Sequence, residues 1–182
     1  MTARRHCSKA LQPALFSAAA LALVLGSHCP PVHASASTFQ GVAGLCLFDP
    51  TGVTEETKGG ITFSYGLVMG YRIETDHELI NGWETLISNT RANKGGNVFY
   101  FGNATLEPTV APGSTLEGKF FFASDANPIK GNYFGTGDLE RVVVHYELVP
   151  TDLSALTDFC GEGMPPMFGY LMSGTVKNYK TP

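Results

Sequence analysis

The chain is predicted to be all-β, an antiparallel closed barrel of about eight strands, a size at which side chains fill the interior. Three observations carry this. From Gly60 to Glu74, the residues Ile61, Phe63, Tyr65, Leu67, Met69, Tyr71 and Ile73 take every odd position. Such period-two alternation marks a strand with one buried face. Comparable segments recur between short breakers such as Asp49-Pro50-Thr51-Gly52, Asn93-Lys94-Gly95-Gly96 and Pro112-Gly113, whose residues favour turns. Glycines scattered through the strands, Gly66 and Gly70 among them, suit the bends that closure demands, and closure removes exposed edges. A two-sheet β-sandwich is the alternative for the same strands.

In chain order, Phe39 to Phe48 is the first strand and Gly60 to Glu74 the second. Leu79 to Ser88 is expected to pair with the second through a tight Thr75-Asp76-His77 connection. Val98 to Leu106 and Thr115 to Ala123 follow, then Gly131 to Val149 as one long strand bent at Gly135 or Gly137, and Phe168 to Tyr179 closes the chain. Residues 151–157 read as one short helix, with Thr151 or Asp152 as its cap before Leu153 and Leu156.

The ends bear on where the protein works. Arg4, Arg5 and Lys9 precede an apolar run from Ala14 to Leu25, then Gly26, Pro30 and Pro31, then Ala34-Ser35-Ala36. This is the three-part pattern of a secretory signal peptide, so residues 1–34 are expected to be removed and 35–182 to form one barrel domain. The apolar run is short of the roughly 20 residues that a spanning helix needs, so no membrane span is expected after cleavage. A membrane-spanning β-barrel is disfavoured by the Lys180-Thr181-Pro182 end and by Arg72 and Glu74 on the glycine side of the longest strand. In residues 35–182 nine Lys and Arg stand against sixteen Asp and Glu, a formal charge of −7. That balance disfavours nucleic acid and anionic lipid as partners. Cys7 and Cys29 leave with the signal. Cys46 and Cys160 then enter a secreted or periplasmic compartment, where disulfides persist, and are expected to pair.

The sequence contains no phosphate-binding glycine loop ahead of a helix, no nucleophile elbow and no His-Glu-x-x-His. No cofactor or metal is implied. Ionisable candidates for acid–base chemistry are His145 and Glu147, which share a strand face with Arg141 opposite Val142, Val144, Tyr146 and Leu148, together with Glu84 and Arg72. Asp76-His77-Glu78 is a second polar cluster, at a turn. Trp83 shares its face with Leu79, Asn81, Thr85 and Ile87, which assigns it to the core. Tyr65, Trp83, Phe99, Phe101, Phe120 and Phe122 are the candidate walls of an apolar ligand pocket.

The glycine-punctuated strand Gly131-Asn132-Tyr133-Phe134-Gly135-Thr136-Gly137-Asp138-Leu139-Glu140, with Ser114-Thr115-Leu116-Glu117-Gly118-Lys119-Phe120 before it, resembles small secreted barrels of the allene-oxide-cyclase and dirigent type. The resemblance spans about a third of the mature chain, and no catalytic residue of that family maps onto a position here. It implies an eight-stranded barrel that takes up apolar molecules and steers their cyclisation or coupling. Two functions follow as expectations: a binding module for an apolar small molecule or a protein partner, and a cofactor-free cyclase or isomerase working inside the barrel. They differ in whether ionisable side chains point into an apolar cavity.

Overall fold

A computed structural model describes residues 34–179; the expected signal peptide, residues 1–34, lies outside them except for Ala34. Nine strands form one antiparallel sheet: β1 (Ala34–Asp49), β2 (Thr54–Lys58), β3 (Ile61–Thr75), β4 (Gly82–Ala92), β5 (Val98–Pro108), β6 (Leu116–Ala123), β7 (Ile129–Gly135), β8 (Val142–Thr151) and β9 (Phe168–Tyr179). The order is β1-β9-β8-β7-β6-β5-β4-β3-β2, and pairing of β1 with β3 closes eight of the strands into a barrel. β2 is the extra strand, an extension that pairs with residues 61–65 of β3.

Alternation sorts the wall. Val142, Val144 and Tyr146 on β8, Met172 and Val176 on β9, and Leu116 and Phe120 on β6 point inward and are buried. The intervening residues Lys130, Asn132, His145, Lys119 and Ser173 are exposed. The lumen is apolar, while the outer wall is mixed, with Trp83, Ile87, Phe121, Phe134 and Leu171 exposed among the polar residues. At the end where β3 passes to β4 and β7 to β8, 3-10 turns at Glu78–Ile80 and Gly137–Leu139 turn Ile80 and Leu139 into the lumen. There they join Ile73, Leu106 and Leu116 in one buried apolar cluster that closes this end.

Several sequence expectations are corrected. The odd-position alternation of β3 holds from Met69 to Ile73 but not through its first half. β3 has one residue more than β4 between Ser64 and Leu67, and Gly66 there takes φ +85°, a left-handed conformation open chiefly to glycine. The bulge reverses the alternation, and Phe63 sits opposite exposed Arg91. Gly131 to Val149 is two strands rather than one, parted by the turn at Gly137–Leu139. β4 begins at Gly82 because Glu78–Ile80 makes the turn that plugs the barrel. No helix forms at 151–157. Asp152 accepts a hydrogen bond from the Ser154 amide (2.9 Å) and Leu156 N–H bonds Leu153 C=O (2.9 Å), which closes isolated turns instead.

Cys46 is the extra residue of a second bulge, between Leu45 and Leu47 of β1. It is joined to Cys160 in the long connection from β8 to β9. Phe159, buried beside it, packs against Gly44, and its carbonyl accepts a hydrogen bond from Arg72 Nη1 at 2.8 Å.

Candidate functional site

The lumen is not filled to the other end. Above the closed base lies a cavity of about 50 Å³, lined by Tyr71, Glu84, Phe120, Tyr146, Tyr170 and their apolar neighbours. Its lower residues Tyr71, Glu84, Phe120 and Tyr146 are buried, whereas Met69, Leu86, Phe122, Leu148 and Tyr170 are partly exposed at the upper end. The lumen is therefore a cup with a closed floor and a narrow mouth.

Glu84 stands at the floor, 6% exposed, and is the one buried charged residue among the described residues. It reaches the lumen because β4 turns Glu84, Leu86 and Ser88 inward and Trp83, Thr85 and Ile87 outward. Tyr133 on β7 crosses the barrel, and its hydroxyl donates to Glu84 Oε1. The Tyr133 ring stacks on Tyr146 with centroids 4.7 Å apart. Room for Tyr146 comes from Gly131, where a Cβ would clash with the Tyr146 Cζ and hydroxyl. Further up, Tyr100 stacks on Phe122 (5.3 Å), which leans on Phe120 (5.9 Å), and Tyr71 meets Tyr170 at 6.2 Å. The pocket walls thus mix aromatic rings (Tyr71, Phe120, Phe122, Tyr146, Tyr170) with aliphatic side chains (Ala43, Met69, Leu86, Ile129, Leu148).

Burial sets the electrostatics. Removal from water pushes the Glu84 carboxyl up to about 7, against a smaller downward pull from the Tyr133 hydrogen bond. Tyr133 is raised well above the usual phenol range by burial and then by the Glu84 charge. Tyr71 and Tyr146 are raised as well, burial again leading. Near neutral pH Glu84 can therefore hold or release a proton while the phenols stay protonated donors.

The sequence-predicted residues divide. Glu84, Phe120 and Phe122 come together in the cup. Trp83 does not enter the core: it is 38% exposed and its ring covers the outer side of Gly70 beside Leu47. Phe99 and Phe101 face outward, Phe99 stacking at 5.7 Å on Phe121, which is exposed; Tyr100 between them faces inward. Tyr65 lies on the β2–β3 extension, where its hydroxyl donates to Glu56 Oε1 at 3.1 Å. Arg72 is on the outer wall, bonded to Glu74 (2.6 Å) and stacked over Phe159.

His145 and Glu147 also lie outside, in a shallow groove of about 610 Å³ between β7, β8, β9 and β1. His145 Nδ1 is 2.6 Å from Asn132 Oδ1, and Glu147 pairs with Lys130 at 2.6 Å. Of the turn cluster, Asp76 accepts from the Gln40 amide (2.9 Å) and His77 bonds Ser37 Oγ (3.0 Å), so both tie the turn to β1. Sequence reasoning missed Tyr71, Tyr133, Tyr146 and Tyr170 as site residues. The inward alternation of Tyr146 with Val142 and Val144 was the signal that could have found one of them. No protein-family model, curated protein or solved structure matches the chain, and its function rests on this geometry.

Proposed function

We propose that this protein is an exported binding module that takes a small, largely apolar group into the upper lumen of its barrel. The single observation that carries this is the aromatic cup with one buried carboxyl at its floor. An interior that stops short of solid packing favours a small molecule over a protein partner. Its volume is well below the roughly 300–1,000 Å³ of pockets for drug-sized ligands, so the group taken in is small. Export is supported by the signal-like leader and by the Cys46–Cys160 pair. N-terminal sequencing that found the leader retained on the working protein would remove that part.

The test uses butan-1-ol as probe and the methyl group of Met69, which lines the cup, as NMR reporter. Saturable shifts at Met69 are expected, with millimolar affinity, and they vanish in Ile129→Trp, which fills the cup from β7. A Met69 signal indifferent to butanol would overturn the proposal.

A cofactor-free isomerase or cyclase is the second reading, and the position of Glu84 near neutrality inside an apolar lumen supports it. The expected result is deuterium uptake from heavy water into butan-2-one, lost in Glu84→Gln. Equal uptake by both proteins would exclude Glu84 as the base.

A further inference from the structure

We infer that the group received by the cup is a small alkylammonium head, held by the Glu84 carboxylate below and by aromatic faces around it. This rests on the proposed binding role and names the ligand class. Size comes first. One water needs about 10–15 Å³ of such space, so a cavity of about 50 Å³ admits about three to five atoms of water or methyl size. A trimethylammonium group has four. The walls come second: five of the residues lining the space are aromatic, Tyr71 on β3, Phe120 and Phe122 on β6, Tyr146 on β8 and Tyr170 on β9, with aliphatic side chains between them. Ring faces attract cations, and desolvated aromatic cages are the recurrent solution for quaternary ammonium.

Charge comes third. The groups facing Glu84 from the packed strands are Tyr71, Tyr133, Tyr146 and Tyr170, phenols with no positive charge. β1 contributes Ala43 and β6 contributes phenylalanines. A cation entering the cup thus meets one carboxylate and no competing ammonium or guanidinium. An anion would face the Glu84 charge in a low-dielectric space, whereas a neutral group is taken up beside the protonated carboxyl and gains nothing from its charge. The formal charge of −7 on residues 35–182 raises the local concentration of cations outside the mouth.

Choline and its neutral carbon isostere, 3,3-dimethylbutan-1-ol, separate the ammonium from its shape; 3,3-dimethylbutanoate supplies the opposite charge. By calorimetry on the full mature protein at pH 8, choline is expected to bind at least tenfold more tightly than the alcohol, and the carboxylate not at all. The choline preference shrinks toward pH 5.5 as Glu84 takes up its proton, and is lost in Glu84→Gln. Tyr170→Leu, which removes one ring at the partly exposed rim, is expected to weaken choline severalfold more than the alcohol, so that the ratio of the two affinities narrows, which keeps a second test should Glu84→Gln fail to fold. If the alcohol binds as well as choline, the ammonium inference falls and small-molecule binding stands. If none of the three binds and butanol leaves Met69 unmoved, both fall.

Discussion

Replacing Cys46 and Cys160 together by serine is expected to destabilise the barrel by about 3–4 kcal/mol and to lower Tm by roughly 6–16 °C. The bond closes a sequence separation of 114 residues. In the chain-entropy account, opening a loop of that length frees the unfolded chain by at most about 5 kcal/mol, and measured losses in small exported domains run about 2–5 kcal/mol. Local contacts decide where in that range the loss falls. With the bond gone, the β8–β9 connection keeps the burial of Phe159 against Gly44, the Arg72–Phe159 carbonyl bond (2.8 Å) and the Met167 N–H to Leu45 C=O bond (2.8 Å). These few contacts limit the loss, but without the cross-link they alone tether the connection, so hydrogen exchange should quicken at residues 152–167 before the strands respond. Native protein should resist thiol alkylation. A double variant melting within 1 °C of the parent, or two reactive thiols in the parent, would sink this account.

That pairing was legible in the sequence because only two cysteines, Cys46 and Cys160, lie in residues 35–182. The barrel was legible for a similar reason: Val142, Val144 and Tyr146 alternate so plainly with Val143 and His145 that one face had to be inside. Legibility failed where polarity and geometry disagree. On β4 the residue with the largest apolar surface, Trp83, lies outside, and the acid next to it lies inside. Burial preference alone puts the tryptophan in the core, and no local signal announces that Tyr133, 49 residues on, will cross the lumen to satisfy Glu84. On β3 an apparently unbroken alternation conceals a bulge, since the Tyr65-Gly66 step reads the same whether or not the chain takes an extra residue there. Thr54-Glu55-Glu56-Thr57-Lys58 carries no apolar residue, so β2 has no hydrophobic pattern to find. The cup was half visible as a consequence: Phe120 and Phe122 share one face of β6 in the sequence, while the tyrosines are spread over four strands and only the closed register brings them together.

The carboxyl at the floor makes the second large effect, a stability that falls as pH rises through neutrality. Glu84 in the folded protein titrates at about 7 against 4.5 for the free side chain. Between those values the native state keeps a proton that the unfolded chain has released. The native state thus binds more protons, and the sign of the linkage is a loss of stability with increasing pH. Below about pH 4.5 both states are protonated and the effect is absent; above about pH 7 both are ionised and the loss is complete. A displacement of that size corresponds to something on the order of 3 kcal/mol, or roughly 6–12 °C in Tm, across the interval. Glu84→Gln keeps the shape and an acceptor for the Tyr133 hydroxyl but cannot ionise. Its melting temperature, followed from pH 5 to 8, should lack this component, so that the difference between parent and variant shifts in favour of glutamine by that amount as pH rises. The difference curve matters more than either profile, because the carboxylates lowered at the surface, Asp49 and Asp152 among them, act alike in both proteins. Parallel profiles would mean that Glu84 is solvated, and the same result would remove the buried charge on which cation uptake depends. A difference curve with its midpoint near 7, moved to lower pH by choline, would tie the folding titration and the ligand to one carboxyl.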